Sequence, residues 1–142
     1  MNGFEPNLVA VLAAAAAAFA IGAVWYSPLL LGDIWMAEAG LSAAPRRAGD
    51  TAKTFAITFV ALLVMSYGLE ISIGPTHEVA DGFYSPSQQG AFHGFLTGAV
   101  WVLSALVALG LFERRSWAYI AVNGGYWIVA MTAMGGILGA WN

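Results

Sequence analysis

Residues 8–31 contain no charged side chain, and neither do residues 117–141. Two further runs, 54–73 and 91–112, carry one acidic or basic side chain each, Glu70 and His93. A bilayer core of about 30 Å takes about 20 apolar residues at a helical rise of about 1.5 Å each, and all four runs reach that length. Backbone groups left unpaired in hydrocarbon cost several kcal/mol each, so the runs must be helices. A transmembrane barrel needs many alternating strands of about ten residues, and no such alternation is present. The chain therefore reads as an all-α integral membrane four-helix bundle, a single domain over residues 1–142, with connections at 32–53, 74–90 and 113–116.

The rest of the composition removes whole classes of function. Charged residues make up 9% of the chain, against roughly a quarter in a soluble domain, so they could not coat a body exposed to water. Without cysteine there is no disulfide, thiolate metal site or cysteine nucleophile. Five Lys and Arg in a chain of net charge −3 do not make the clustered basic surface that nucleic acid requires. No G-x-S-x-G, H-E-x-x-H, P-loop or glycine-rich dinucleotide fingerprint occurs, so the expectation is a protein without catalytic residues or a cofactor. Membrane lipid and further copies of the chain are the expected partners.

The first run resembles a secretory leader in its small residues, but residues 1–7 carry only Glu5 and no Lys or Arg, and the run exceeds the usual apolar core of such a leader. It is read as a true span. Arg46, Arg47 and Lys53 fall in the first connection, and Arg114 with Arg115 in the third. Residues 74–90 hold Glu78 and Asp81 and no basic group. By the positive-inside rule both basic connections are cytoplasmic and both termini lie on the opposite side.

Helices associate in lipid through small residues that let backbones approach. Such residues recur four apart as Gly90, Gly94 and Gly98 on the third run, Gly135 and Gly139 on the fourth, and Ala14, Ala18 and Gly22 on the first. The third run's glycines serve equally as an intrachain ridge or as a docking face for a partner. Trp25, Tyr26, Trp35, Trp117, Tyr119 and Trp141 fall where an interfacial aromatic belt is expected. Trp101, near the middle of its run, has no headgroup for its indole N–H and is expected to point into the bundle.

Ionisable and amide groups inside a membrane are costly and mark candidate sites. Glu70, with Ser66 one turn earlier, and His93, with Thr97 one turn later, lie near the same end of the second and third runs. They either meet as an ion or proton site or reach water separately from the interface. His77, Glu78 and Asp81 nearby match no metal-ligand spacing, and no metal is expected. Asn123 must bond a neighbouring helix, with Tyr26, Ser27 and Thr58 as candidates at comparable depth.

Three stretches carry a family resemblance: Gly22-Ala23-Val24-Trp25-Tyr26-Ser27-Pro28-Leu29-Leu30-Leu31-Gly32 with Trp35; Leu111-Phe112-Glu113-Arg114-Arg115-Ser116; and Asn123-Gly124-Gly125-Tyr126 leading to Met134-Gly135-Gly136-Ile137 and Trp141. Together they resemble the bacterial membrane proteins grouped as domain of unknown function 1761, with Trp-Tyr-Ser-Pro as the most specific part. The resemblance implies a small four-helix protein of the bacterial inner membrane and brings no activity or catalytic residue. It also implies Phe-Gly-Lys where this chain has Leu31-Gly32-Asp33, so no cation stands at position 33. Two readings of function follow. One is a homo-oligomer forming a pathway for a small solute or ion, built on Glu70, His93 and Asn123. The other is an accessory or scaffold protein that binds lipid or a partner protein.

Overall fold

The computed structural model describes residues 3–41, 48–74 and 84–141, and every regular element among them is helical. In chain order these are α1 (Leu8–Trp25), α2 (Gly32–Ala39), α3 (Ala48–Ile73), α4 (Pro86–Leu96), a π-helical segment (Thr97–Val102), α5 (Leu103–Phe112) and α6 (Trp117–Trp141). Four stretches, Leu8–Trp25, Gly49–Ile73, Pro86–Phe112 and Trp117–Trp141, are long and apolar enough to cross a membrane.

Local chemistry sets the ends. The Asn7 side chain accepts from the N–H groups of Val9 and Ala10, both at 3.1 Å, and so starts α1. That helix stops at Trp25, earlier than the run of apolar residues suggests, because Pro28 cannot continue a helical ladder and the chain turns across residues 26–31. Within the stretch expected to be a plain loop, residues 32–39 form the short helix α2. Gly40 closes it in the left-handed conformation at φ 69°, with Leu41 N–H reaching back to Met36 O at 3.0 Å. α3 begins at Ala48 and the third span at Pro86, both ahead of the apolar runs, since polar first turns extend each helix beyond hydrocarbon. Ser85 and Gln88 form a reciprocal capping box at the start of α4, with Pro86 in the first turn. Ser116 caps α6 by accepting from Tyr119 N–H at 3.1 Å.

α6 is the hub. The glycine row of the third span lies against it: a Cβ on Gly90 would run into the Gly135 carbonyl, one on Gly94 into the Met131 carbonyl, and one on Gly139 into the Pro86 carbonyl. Only glycine permits backbones this close. The row is therefore an intrachain ridge, and its use as a docking face for a partner is corrected: α6 already occupies it. On another side of α6 lies α1, with Ala14 and Ala18 fully buried and Gly22 beneath the Tyr126 ring. α3 packs mainly on α1.

Trp101 is likewise corrected. It is 75% exposed and faces away from the bundle. The inward side of the third span is taken by glycines, which leave no room for an indole. The π-helical turn, with Leu103 N–H bonded to Gly98 O, is wider than an α-turn and carries Trp101 off the side facing α6.

The two connections that carry the basic residues meet at one end. Arg115 donates to the Ala39 carbonyl at the end of α2 at 3.3 Å, and Ser116 donates to the Glu38 carboxylate. Arg46 and Arg47 lie outside the described residues, as do His77, Glu78 and Asp81.

Candidate functional site

Trp-Tyr-Ser-Pro at the end of α1 and Asn-Gly-Gly-Tyr in α6 are far apart in sequence and form one joint. The Trp25 indole N–H donates to the Val122 carbonyl at 3.0 Å, and its ring lies over Gly125, whose missing Cβ would stand 3.0 Å from it. Tyr26 O–H donates to Asn123 Oδ1 at 2.7 Å. Asn123 in turn donates from Nδ2 to the Tyr119 carbonyl one turn back at 3.0 Å, which fixes which face of the amide accepts. One turn further along α6, Tyr126 O–H donates to the Ala18 carbonyl at 3.0 Å in a buried setting. Tyr26 also sits between two rings, with centroids 5.0 Å from Trp35 of α2 and 5.4 Å from Tyr126.

Of the three candidate partners for Asn123, the structure therefore brings in Tyr26. Ser27 turns to its own helix and donates to Val24 O at 2.7 Å, while Thr58 is exposed on α3. Two members of the joint escape sequence reasoning: Trp25 and Trp35 look like belt residues. The available signal was a large ring in one motif opposite two adjacent glycines in another.

At the opposite end Glu70 and Ser66 face α1. Glu70 has no exposed surface and accepts from the Asn7 backbone N–H at 3.1 Å, placing a carboxylate at the start of α1, where the helix dipole favours it. Ser66, also fully buried, donates to Val11 O at 2.9 Å. His93 and Thr97 lie on a different face, with Thr97 donating to His93 O at 2.8 Å and the His93 ring edge-on to Phe92. No hydrogen bond or ion pair joins Glu70 to His93, because Glu70 shares the α1-facing side of α3 with Ser66, and α3 barely touches α4. The expectation that Glu70 reaches water is corrected as well. Among the described residues, no three His, Asp or Glu side chains converge as metal ligands would.

A family model for a protein of unknown function (DUF1761) matches residues 9–139. The chain belongs to the DUF1761 family. No curated protein and no solved structure matches it. In this DUF1761 chain the matched region takes in both halves of the Trp25–Asn123 joint, the glycine ridge and Glu70, while Asn7, which donates to Glu70, lies just before it. The joint can hold α1, α2 and α6 in a fixed relation, since its polar side-chain atoms bond one another or backbone carbonyls of the facing helix.

Proposed function

We propose that this protein is a non-catalytic, multi-pass scaffold of a bacterial inner membrane that assembles with further copies of itself through the outer face of the third span. Both termini lie on the non-cytoplasmic side in this reading, with the basic residues at the opposite end. The observation that carries it is Trp101. Its indole N–H lies close to the middle of the Pro86–Phe112 span, is 75% exposed, and finds no acceptor among the described residues. Elsewhere in the membrane, Trp25, Tyr26, Tyr126 and Ser66 each spend their polar hydrogens on another helix. A bare N–H in hydrocarbon is unfavourable, and a second copy supplies an acceptor. Ser104 and Ala108, exposed and four apart on the same span, permit the close approach.

A conduit for a small solute or ion is the second reading, and the π-helical turn favours it, because such turns gather at functional sites. The absence of cysteine gives a clean discrimination. A single cysteine replacing Ser104 is expected to form a disulfide-linked dimer in native membranes, while one replacing Val64, exposed on α3, does not. Equal linking at both positions means random collision and removes the assembly reading. Solute or ion flux in vesicles that depends on His93 supports the conduit instead.

A further inference from the structure

Between α3 and the third span the helices diverge, and a groove of about 230 Å³ opens sideways along two membrane-spanning segments. Met65, Gly68, Leu69 and Ser72 form its α3 wall, with Thr97 of the π-helical segment and Met131 of α6 opposite. Three features create it. The glycine ridge pulls the third span onto α6 and away from α3, the π-turn widens the helix at Thr97, and Gly68 contributes no side chain. A Cβ at Gly68 would meet nothing within 4 Å.

The lining specifies an apolar occupant. Both hydroxyl hydrogens are already committed, Ser72 to Gly68 O at 3.0 Å and Thr97 to His93 O at 2.8 Å. Methionine, with its flexible and polarisable side chain, adapts to chains of varying shape. Water is not the medium beside these spans; lipid is.

One turn from Thr97 on the same face, toward the start of α4, stands His93. It is half-buried, its ring is held edge-on to Phe92, and no described residue bonds its ring nitrogens. It lies seven residues into the helix, about 10 Å from Pro86, and a span of this length overhangs a core of about 30 Å by about 5 Å at each end. The ring is thus within reach of the phosphate layer, and an imidazole N–H is a donor in either protonation state.

We propose that this groove binds one phospholipid, an acyl chain lying between Gly68 and Thr97 and its phosphate accepting a hydrogen bond from His93. Neither Trp101 nor Ser104 lines the groove, so the variants that test lipid binding are distinct from those that test assembly.

Native mass spectrometry of the full chain, released from nanodiscs of phosphatidylethanolamine and phosphatidylglycerol, tests this. Wild-type protein is expected to retain one phospholipid per chain. Gly68→Leu fills the groove from open space and is expected to lower retention by about tenfold or more, with helicity unchanged by circular dichroism. Ser72→Phe fills it from the next turn and provides the same test should Gly68→Leu not fold. Gly49→Leu, at an equally open glycine outside the groove, leaves retention intact. His93→Leu removes the phosphate's donor and lowers retention about tenfold. Wild-type protein that carries no lipid, or groove-filling variants that retain it as well as wild type, would overturn the proposal; unchanged retention in His93→Leu overturns the role given to that ring.

Discussion

Tyr26 O–H donates to Asn123 Oδ1 across 2.7 Å, tying the end of α1 to the first half of α6. Removing either partner leaves the other without its bond in a half-buried place. Tyr26→Phe and Asn123→Ala are each expected to destabilise the protein by about 1 kcal/mol, with a coupling energy of about 0.6–1.7 kcal/mol in the double variant. Equilibrium unfolding in mixed micelles measures this. Additive effects would mean that the bond contributes nothing as a pair.

Gly94 faces the Met131 carbonyl with no room for a methyl group, whereas Gly68 and Gly49 have open space. Gly94→Ala is expected to destabilise the single chain by about 1–3 kcal/mol through forced displacement of α6. Gly68→Ala and Gly49→Ala should be neutral or stabilising by up to about 1 kcal/mol, since both sit in helices and lose only chain flexibility. Thermal unfolding of the three variants at matched concentration distinguishes them. A Gly94→Ala protein that unfolds like wild type but loses self-association would return the glycine row to an intermolecular role.

Glu70 holds the start of α1 through the Asn7 N–H at 3.1 Å. Glu70→Gln keeps an acceptor there, and Glu70→Leu does not. Amide exchange at Asn7 should accelerate in Glu70→Leu, reflecting a loss of about 1–3 kcal/mol, and far less in Glu70→Gln. Equal acceleration in both would show that negative charge, and not the hydrogen bond, is what matters.

Sequence patterning made the four spans legible because hydrocarbon imposes length and apolarity at every position of a crossing helix. Their ends were less so. Pro28 stops α1, and the closure of α2 depends on Gly40 adopting a left-handed conformation that composition does not encode. Among site residues, Asn123 was legible as a group that must find a partner, and Tyr26 was among those within reach. Glu70 and His93 were close in depth, but depth says nothing about which way each helix is turned; rotation is set by the glycine contacts of α6 and by the bonds of Ser66 and Glu70 to α1. Trp101 was misread for a related reason. An α-helical projection cannot anticipate a π-turn, and an indole in mid-membrane can find its acceptor outside the chain as well as inside.

Assembly through the third span is tested most directly by counting subunits. Single-molecule photobleaching of fluorescently tagged protein, at low density in large vesicles, should give more than one bleaching step per spot for wild type and a single step for Trp101→Leu. Single-step bleaching of the wild-type protein would contradict the account and leave Trp101 as a lipid-facing residue of a monomer.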